Sequence, residues 1–428
     1  MSKLLIEGGH RLNGEMTLQG AKNSVLPILA ACLLCEGTCV IHNCPDLTDV
    51  HASGEILRSL GCSCSYNDGT MTVCVDNADR YEIDDRLMCS MRSSVLFLGA
   101  LLSRFSRAVI SIPGGCELGL RPINLHLDAF RRMGAEISEE HGHIYCHAPN
   151  GLEGCVIDLP IASVGATENI MIAASTAKGT TVIRNAAKEP EISDLADFLR
   201  SMGAKITGDS STVITIDGVP SLHGCDHTVI PDRIAGITYM CATALCGGMV
   251  KINNINEEHL VSVLPRFEEM GCDVCGKDGS ITVRSNGILH RIKDVSTKEY
   301  PGFPTDAQPI LLAAVTKARG TSLFVENIFS NRYKYVEGLL KMGANIKVID
   351  RVAVVEGVPW LTSADVDATD LRGGAALVLA ALVAEGRSVI SQICHIDRGY
   401  ENIEQVLASL GANIKRENER CLQGKNQP

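Results

Sequence analysis

The sequence predicts an α/β protein made of six copies of one structural unit, arranged as two lobes with three units each. Three observations support this prediction: a short phrase recurs at even intervals, an apolar helix precedes each copy, and strand-like runs follow it. The phrase is Met or Leu, then Gly, then Ala or Cys, and its glycines lie 68 to 73 residues apart. The copies are Leu60-Gly61-Cys62, Met133-Gly134-Ala135, Met202-Gly203-Ala204, Met270-Gly271-Cys272, Met342-Gly343-Ala344 and Leu410-Gly411-Ala412.

Each unit begins with a helix that is apolar on all faces, which is typical of a buried helix. A Gly often follows, as in Lys178-Gly179-Thr180, because Gly readily adopts the left-handed conformation past a helix end. A strand, an amphipathic helix such as 193–202 and one or two further strands complete the unit. The apolar helices are predicted at 24–34, 94–102, 166–177, 234–245, 307–315 and 375–384.

The two lobes follow from the burial requirement of the repeated unit. A single unit cannot bury its own apolar helix, so neighbouring copies must pack together. We predict one lobe at 22–228 and a second formed by 1–21 plus 229–415, in which the N-terminal strand Leu4-Leu5-Ile6 supplies a strand that the last unit lacks. The polar tail 416–428 is predicted to be disordered.

The composition excludes several classes of protein. The chain has 428 residues, 45% of them hydrophobic, but no apolar run reaches the roughly 18 residues that a membrane span needs. The first residues lack the apolar core of a signal peptide, so we predict a cytoplasmic protein without a membrane segment. A net charge of −11 disfavours a general nucleic-acid binder, so an anionic ligand would need locally placed Lys and Arg.

The 18 cysteines are predicted to act mainly as small buried hydrophobes. Cys32-x-x-Cys35 and Cys272-x-x-Cys275 have a metal or redox spacing, but each lies in an apolar helix or an alternating strand pattern. The run 141–147 contains three His and one Cys and alternates as a surface strand does. We therefore predict no metal site, with a metal or redox role as the alternative.

Four cations stand where the apolar helices begin: Lys22, Arg92, Arg233 and Arg372. A helix N-terminus has exposed N–H groups and partial positive charge, so a cation there opposes the helix dipole and suggests a bound anion. Other polar residues at these starts, such as Ser163, are equally consistent with simple capping.

A loop in the second unit reads Pro113-Gly114-Gly115-Cys116-Glu117-Leu118-Gly119-Leu120-Arg121-Pro122. A Cys on an accessible glycine-rich loop is more plausibly reactive than one in a helix, although it is also one of 18 cysteines. Corresponding loops supply Lys188, Arg332 and Arg398. We expect several of these cations to converge on one anionic ligand.

At these residues the chain resembles the UDP-N-acetylglucosamine 1-carboxyvinyltransferases, a family of enolpyruvyl transferases, and the resemblance runs from about residue 3 to residue 415. The motifs that carry it come from all six units: 20–23 (GAKN), 113–116 (PGGC), 121–122 (RP), 163–167 (SVGAT), 231–233 (PDR), 303–306 (FPTD), 368–372 (ATDLR) and 395–401 (HIDRGYE).

The resemblance implies a two-lobed inside-out α/β barrel that closes on its substrates. It implies transfer of the enolpyruvyl group of phosphoenolpyruvate to the 3-hydroxyl of UDP-N-acetylglucosamine with release of phosphate, the first committed step of peptidoglycan synthesis. It implies neither a metal nor an organic cofactor.

The resemblance also implies roles for individual residues. Cys116 matches the general acid toward the methylene carbon and the target of the covalent inhibitor fosfomycin. Asp306 matches the base that accepts the sugar hydroxyl proton. Asp370 matches a residue near the reacting centre, which Arg372 supports. Cations around phosphoenolpyruvate match Lys22, Arg121 and Arg398, and the sugar-nucleotide site matches Asn23, Arg92, Arg121, Pro122, Ile123, Asn124, Leu125, Ser163, Val164, Gly165, Asp306, Ile328 and Arg332.

Three positions depart from the family pattern. Ile161 stands where some members have a Lys for the nucleotide phosphates, Leu96 where some have Trp, and Ala235 where an acidic residue is frequent. Two alternatives stay open: a catalytically weak paralogue that only binds a UDP-sugar, and the related enzyme that uses shikimate 3-phosphate. The retained acid and base argue against the first, and the loop Cys116 argues against the second.

Overall fold

The computed structural model describes residues 2–111 and 123–418. The fold is α/β, which confirms the predicted class. The helices are α1 (Lys22–Cys32), α2 (Thr48–Ser59), α3 (Asp85–Ser90), α4 (Phe97–Phe105), α5 (Asn124–Arg132), α6 (Val164–Ala174), α7 (Pro190–Ser201), α8 (Arg233–Cys246), α9 (Leu264–Glu269), α10 (Gln308–Val315), α11 (Val336–Lys341), α12 (Leu371–Ala381) and α13 (Ile403–Ser409). Short 3-10 helices lie at Arg92–Leu96, Glu257–Leu260, Thr305–Ala307 and Ile393–Arg398.

The strands alternate with these helices along the chain. They are β1 (Ser2–Glu7), β2 (Leu12–Thr17), β3 (Cys35–Glu36), β4 (Thr38–His42), β5 (Ser63–Asn67), β6 (Thr70–Cys74), β7 (Arg107–Ser111), β8 (Glu136–Glu140), β9 (His143–His147), β10 (Val156–Asp158), β11 (Thr180–Arg184), β12 (Lys205–Thr207), β13 (Val213–Asp217), β14 (Leu222–His223), β15 (Asp226–Thr228), β16 (Gly248–Asn253), β17 (Asp273–Lys277), β18 (Ser280–Ser285), β19 (Asp294–Ser296), β20 (Thr321–Val325), β21 (Asn345–Ile349), β22 (Val352–Glu356), β23 (Leu361–Thr362), β24 (Asp365–Asp367), β25 (Ala384–Glu385), β26 (Arg387–Ser391) and β27 (Asn413–Asn418).

The chain divides into two compact units. The N-terminal unit comprises Gln19–Arg233 and Lys298–Gly302. The C-terminal unit comprises the described residues through Leu18, Ile234–Thr297 and those from Phe303 onward. The grouping of Lys298–Gly302 with the N-terminal unit was not indicated by the sequence pattern. Tyr300 explains part of it, because its backbone N–H donates to Glu189 Oε1 at 3.3 Å.

The sheets of the N-terminal unit share one arrangement. The strand after an apolar helix pairs antiparallel with the second strand of a hairpin, as β4 pairs with β6 and β11 with β13. On its other side β4 pairs parallel with β15 and β11 with β10, whereas β7 has only an isolated parallel bridge, from Val109 to Glu82. The sheet orders are β15-β4-β6-β5, β7-β9-β8 and β10-β11-β13-β12.

The C-terminal unit repeats this arrangement with sheet orders β2-β16-β18-β17, β19-β20-β22-β21 and β24-β26-β1-β27. In the third sheet, the N-terminal strand β1 lies between β26 and β27 and pairs antiparallel with both. Leu4 is opposite Ile390 on one side and Arg416 on the other. Within the described residues, none of these sheets closes on itself, so neither unit contains a closed barrel. Each unit instead has separate open sheets that pack against helices.

The apolar helices form the interior of each unit. In the N-terminal unit, α1 and α6 bury nearly every side chain, and α6 buries the polar Thr167, Glu168 and Asn169 among its apolar residues. In the C-terminal unit, α10 and α12 are buried in the same way. The amphipathic helices bury one face, as α7 does through Leu195, Phe198 and Leu199. Burying polar side chains without partners is costly, and in α1 the polar residues are confined to its start, at Lys22, Asn23 and Ser24.

The glycine of the repeated phrase ends a helix in the same way at all six positions. Gly61 has φ 100°, its N–H donates to the Arg58 carbonyl, and the next N–H, of Cys62, donates to the Leu57 carbonyl. This pair of bonds is a Schellman motif, which needs a left-handed residue that Gly adopts without a Cβ penalty. The other five have φ of 95° (Gly134), 104° (Gly203), 86° (Gly271), 84° (Gly343) and 108° (Gly411).

Two-residue turns connect several hairpins. Asp68-Gly69 joins β5 to β6 and Asp278-Gly279 joins β17 to β18, with positive φ at all four residues. Asp-Gly favours this mirror-image turn, whose twist matches that of the flanking strands. His141-Gly142 does the same between β8 and β9. The His-rich run is therefore a turn followed by β9, which confirms the predicted surface strand.

Some predicted boundaries were wrong. The second apolar helix begins later, at Phe97, because Arg92–Leu96 winds as a 3-10 helix. The last begins earlier, at Leu371, because Asp370 caps it by accepting from two backbone N–H groups. Residues 416–418 belong to β27 rather than to the predicted tail, and the rest of that tail, 419–428, lies outside the described residues.

The residue that holds the end of β27 is Arg416. Its guanidinium bonds to Asp397 at 2.6 and 2.9 Å and to Glu404 at 2.8 and 3.0 Å. These charge-assisted bonds hold the end of β27 in place, although its polar sequence led to the prediction of a disordered tail.

Within the described ranges, no helix is long and apolar enough to cross a membrane. The 16 cysteines in those ranges are free thiols. No group of three or more His, Cys, Asp or Glu side chains in the same ranges is placed to hold a metal ion.

Candidate active site

In the C-terminal unit, Asp306 is the centre of a cluster of charged side chains. It lies in the 3-10 turn that leads into the apolar helix α10. Its Oδ1 accepts from Arg332 Nη2 at 3.0 Å, and its Oδ2 accepts from Arg372 Nε at 3.3 Å. The side chain is 27% exposed, whereas the two guanidiniums are almost completely buried. One partly exposed carboxylate is therefore oriented by two rigid buried cations.

Arg332 also fixes the backbone beside Asp306. Its Nη2 donates to the Thr305 carbonyl at 2.8 Å, and its guanidinium carbon lies 5.7 Å from the centre of the Phe329 ring. The planar fork of Arg suits this double role, since one group can reach a carboxylate and a carbonyl together. Its Nε is buried and has no hydrogen-bond partner among the described residues.

Asp370 and Arg372 stand together at the start of α12. Asp370 caps the helix, because its Oδ1 accepts from the N–H of Arg372 at 3.1 Å and of Gly373 at 2.9 Å. This cap leaves Arg372 directed at Asp306, with its guanidinium carbon 5.2 Å from the centre of the Tyr400 ring. A β-carbon at Gly373 would lie 2.7 Å from Tyr335 Cβ, so only Gly allows this close approach.

A buried carboxylate, Glu326, connects the Asp306 turn to the next loop. It is 0% exposed and accepts from the Thr305 hydroxyl at 3.0 and 3.1 Å. Its Oε1 also accepts from the backbone N–H of Ile328 at 2.8 Å and of Phe329 at 2.9 Å. One side chain thus fixes Thr305, the neighbour of Asp306, and the backbone of Ile328, which is itself predicted to bind substrate.

Tyr335 and Arg398 are the last two residues considered in the C-terminal unit. Burial raises the pKa of the Tyr335 hydroxyl well above its ordinary value, and this hydroxyl donates to Gln308 Oε1 at 3.2 Å. Arg398 is half-buried at the end of a 3-10 helix that packs on the start of α12. A β-carbon at Gly399 would lie 2.7 Å from Leu371, which shows how closely this turn approaches that helix.

In the N-terminal unit, Lys22 is a buried cation in the first turn of α1. Its Nζ lies 2.8 Å from Asp49 Oδ2, and both side chains are more than nine-tenths buried. Its backbone N–H donates to Asp232 Oδ2 at 3.3 Å. The cation at this helix start is therefore balanced by Asp49, a residue that the sequence analysis missed. Asn23 beside it is exposed.

Arg233 lies in a second buried ion pair. Its Nε and Nη2 bond to the two oxygens of Glu191 at 2.9 and 3.2 Å. Burial alone would lower the pKa of Arg233, but Glu191 and neighbouring carboxylates outweigh it and raise the pKa. Burial raises the pKa of Glu168 well above its ordinary value, with Glu191 and Glu189 adding to the effect. The cation predicted to mark a ligand here has a protein carboxylate as its partner.

Around the start of α6 the structure brings together His126, Arg92 and Gly165. A β-carbon at Gly165 would lie 3.6 Å from His126 Cε1. Burial, with a smaller effect of Arg92, lowers the pKa of His126 to about 4, so the ring is neutral at pH 7. Its Nδ1 lies 2.9 Å from the Asn169 amide nitrogen, which donates, so the proton resides on Nε2. Ser163 caps α6 by accepting from the Ala166 N–H at 3.4 Å.

Sequence comparison assigns the chain to a family. The model that describes EPSP synthase (3-phosphoshikimate 1-carboxyvinyltransferase) matches residues 6–407. The UDP-N-acetylglucosamine 1-carboxyvinyltransferase 2 of Caldanaerobacter subterraneus subsp. tengcongensis is 49% identical over 416 residues, covering 97% of this chain and 100% of the relative. This chain belongs to the UDP-N-acetylglucosamine 1-carboxyvinyltransferase family. The namesake enzyme of Clostridium botulinum is 46% identical, covering 97% of this chain and 100% of its own length.

Solved structures agree with this family assignment. The enolpyruvyl transferase NikO from Streptomyces tendae superposes with a TM-score of 0.89 at 28% identity, covering 97% of this chain and 98% of its own. An EPSP synthase from Acinetobacter baumannii gives a TM-score of 0.75 at 19% identity, covering 98% and 100%. The second likeness shows the shared fold.

The site residues predicted from the family resemblance fall into two groups, one in each unit. The C-terminal unit holds Asp306, Ile328, Arg332, Asp370, Arg372 and Arg398. The N-terminal unit holds Lys22, Asn23, Arg92, Ile123, Asn124, Leu125, Ser163, Val164 and Gly165. Cys116, Arg121 and Pro122 lie outside the described residues.

The positions that depart from the family pattern have contrasting environments. Ile161 is 60% exposed, and its carbonyl accepts from the Ser163 N–H at 2.8 Å, close to the start of α6. Leu96 is 4% exposed and Ala235 is fully buried. The apolar Ile161 therefore occupies a surface position where a Lys would remain solvated.

Sequence reasoning missed Asp49 and Glu191, which balance the buried cations Lys22 and Arg233. It also missed Glu326, which accepts from the Thr305 hydroxyl and from two backbone N–H groups. Single acidic residues inside polar stretches carry no distinctive signal, since most such residues are solvated. His126 was also missed, although it follows directly on the predicted run Ile123–Leu125 and could have been considered with it.

Proposed function

We propose that this protein transfers the enolpyruvyl group of phosphoenolpyruvate to the 3-hydroxyl of UDP-N-acetylglucosamine and releases phosphate. The observation that carries the proposal is Asp306, a partly exposed carboxylate held by Arg332 and Arg372 at the start of an apolar helix. The names of relatives at 44–49% identity over nearly the whole chain support the acceptor. The reaction begins peptidoglycan synthesis, and a cytoplasmic location stays a prediction.

Asp306 is proposed as the base that accepts the sugar hydroxyl proton. Two guanidiniums lie beside this one carboxylate, at 3.0 and 3.3 Å. They also fix both oxygens, so the carboxylate needs little reorganisation when the hydroxyl approaches. Asp370, which caps α12, keeps Arg372 directed at Asp306. Thr305 and the Ile328 backbone, both bonded to Glu326, are proposed to position the sugar end of the nucleotide.

The anionic groups of the substrates are proposed to bind to cations and helix starts. Lys22, Arg121 and Arg398 are assigned to the phosphate and carboxylate of phosphoenolpyruvate. Arg92 and the first N–H groups of α6 are assigned to the nucleotide phosphates, since a helix N-terminus attracts anions. Neutral His126 carries a proton on Nε2 beside Gly165 and is a further donor for that site.

Cys116 is proposed as the acid that protonates the methylene carbon, on the strength of the family resemblance. Addition to an enol ether needs one group to protonate carbon and one to free the alcohol, and Cys116 and Asp306 divide these tasks. The same thiol is the proposed site of alkylation by fosfomycin.

The proposal is tested by phosphate release from phosphoenolpyruvate with three conditions: UDP-N-acetylglucosamine, shikimate 3-phosphate, and no acceptor. Release only with the sugar nucleotide is the expected result. Release with shikimate 3-phosphate would overturn the proposed acceptor. Binding of UDP-N-acetylglucosamine in calorimetry without any release would instead identify a sugar-nucleotide binder that has lost catalysis.

A further inference from the structure

Two cysteines of the N-terminal unit lie side by side on neighbouring parallel strands. β4 and β15 pair with Val40 opposite Asp226, so Cys39 and Cys225 are the preceding residues on each strand. The Val40 N–H donates to the Cys225 carbonyl at 2.9 Å, which extends the pairing to this level. Neighbouring strands are about 4.8 Å apart. That spacing lies inside the roughly 4.4–6.8 Å between Cα atoms that a disulfide requires.

The two side chains face the same core and meet there. Residues paired across a sheet project to the same face, and both cysteines belong to the hydrophobic core of the N-terminal unit or pack against it. Cys39 is fully buried, whereas Cys225 is half-exposed. A hydrogen bond between the two thiols lowers the pKa of Cys225.

Two further thiols surround Cys39 but are less suited to react first. Burial, together with a hydrogen bond to Cys39, raises the pKa of Cys32 well above its ordinary value. The hydrogen bond to Cys39, and then burial, raise the pKa of Cys35. A thiolate is the reactive form of cysteine, so the half-exposed Cys225, with its lowered pKa, is better suited to attack than the buried thiols around it.

We propose that Cys225 and Cys39 form a peroxide-oxidisable pair that closes to a disulfide between β15 and β4. The Cys225 thiolate attacks one oxygen of hydrogen peroxide, so an S–O bond forms, the O–O bond breaks and hydroxide leaves. Cys39 then displaces the hydroxyl from the resulting sulfenic acid, so an S–S bond forms and water leaves. Two electrons pass from the two sulfurs to the peroxide.

Closing this bond would restrain a segment that carries ion-pair residues. β15 ends at Thr228, and the chain then leads to Asp232 and Arg233, which bond to the Lys22 backbone and to Glu191. The disulfide would tie the start of that segment to β4. We therefore expect slower amide hydrogen exchange over residues 226–233 in the oxidised protein. The inference does not depend on the proposed reaction.

The experiment treats the folded full-length protein with increasing hydrogen peroxide, blocks remaining thiols with N-ethylmaleimide and maps peptides by mass spectrometry. The expected result is a linked peptide pair containing Cys39 and Cys225 that a thiol reductant separates. Because each peptide is identified separately, oxidation of Cys116 can be distinguished from oxidation of Cys39 and Cys225. The pair should be absent in Cys225→Ser and unchanged in Cys155→Ser, a matched control because Cys155 is also half-buried in the same unit.

A Cys39→Ala variant tests the order of the two steps. It should leave Cys225 as a sulfenic acid that a 1,3-dione reagent labels. If wild-type Cys225 stays fully alkylated by N-ethylmaleimide at peroxide levels that oxidise other half-exposed thiols, the proposal is wrong. A link from Cys39 to Cys35 or Cys32, with Cys225 free, would overturn it equally. The wild-type map alone decides this if either variant fails to fold.

Discussion

Arg332 Nη2 lies 3.0 Å from Asp306 Oδ1 and 2.8 Å from the Thr305 carbonyl, so one buried guanidinium fixes a side chain and its neighbouring backbone together. Thr305 is held from its other end by Glu326. The turn before α10 therefore has little freedom, although Asp306 itself remains 27% exposed. The Asp306 carboxylate is therefore held in place by its neighbours while part of it stays accessible to solvent.

Replacing Arg332 by Lys should reduce kcat strongly. A single ammonium cannot reproduce the fork that reaches both Asp306 and Thr305. Loss of a hydrogen bond to a charged group costs roughly 1.5–3 kcal/mol, or on the order of 10- to 100-fold in rate. Steady-state kinetics with both substrates measure it. The matched control is Arg351→Lys in the same unit, where an exposed Arg donates to the Asn327 carbonyl. Equal loss in both variants would contradict a specific role for Arg332.

Asp306→Asn should stop turnover while leaving UDP-N-acetylglucosamine binding nearly intact. The amide keeps the shape of the side chain but cannot accept the hydroxyl proton, and a positioned base contributes roughly 10²- to 10⁴-fold. Kinetics give the loss of rate, and calorimetry gives the Kd. A parallel loss of binding and turnover would show that Asp306 acts mainly in the architecture of the site.

Two substitutions of Glu326 should separate its geometry from its charge. Gln can keep one oxygen on the Ile328 and Phe329 N–H groups and donate its amide to the Thr305 hydroxyl, so Glu326→Gln should change kcat and KM only a few-fold. Glu326→Ala removes the acceptor of three partly buried donors, each loss costing up to about 3 kcal/mol, and should lower Tm and raise KM for the sugar nucleotide. Similar behaviour of the two variants would refute this account.

His126 should make the protein less stable as the pH falls from about 6.5 to about 4. Its pKa is about 4 when folded against an ordinary 6.5, so the unfolded chain binds the extra proton in this window and acidification favours unfolding. The shift corresponds to roughly 3 kcal/mol of unfolding free energy, and the loss is complete below the folded pKa.

Denaturant unfolding of His126→Gln against wild type isolates this effect. Glu168 contributes in the opposite direction, because its raised pKa means that its stabilising proton is lost as the pH rises above 4.5. That contribution is common to both proteins and cancels in the comparison. His10→Gln, which replaces an exposed histidine, is the control and should follow wild type. If the unfolding free energy of His126→Gln fell between pH 6.5 and pH 4 as much as that of wild type, His126 would not be the cause of the loss.

Cys116→Asp should remain active and resist fosfomycin, whereas Cys116→Ser should be nearly inactive at neutral pH. A carboxylic acid can deliver a proton but offers no thiol for alkylation, and a hydroxyl is a far poorer acid than a thiol. Activity assays with and without the inhibitor, and the mass of the treated protein, measure both outcomes. Inactivation of the Asp variant by fosfomycin would place alkylation elsewhere.

The architecture could be predicted because its signals are local and repeated. Gly61 and its five counterparts end helices with one motif, and that motif demands Gly wherever it occurs. A helix such as α10, which is apolar after its first residue, could be recognised as buried for the same kind of reason. The parallel strands β15 and β24 were missed, because each has three residues and pairs with a strand that is not the next one in the chain.

The sequence predicted which cations belong to the candidate site, but it did not predict which carboxylates pair with them. Arg372 is conspicuous at a helix start, whereas its partner Asp306 lies 66 residues away in sequence, and the pairing depends on tertiary structure. Asp49 and Glu326 look like ordinary polar residues until burial shows that each is bonded. The role of Lys22 as a ligand for phosphoenolpyruvate was inferred from resemblance and stays a prediction.

The most direct test of the central claim is the mass spectrum of the nucleotide product after incubation with phosphoenolpyruvate and UDP-N-acetylglucosamine, in wild type and Asp306→Asn. We predict the enolpyruvyl ether of UDP-N-acetylglucosamine, formed with one phosphate per product by wild type and not by the variant. Recovery of unmodified UDP-N-acetylglucosamine from the folded wild-type protein, with phosphoenolpyruvate intact, would contradict the account.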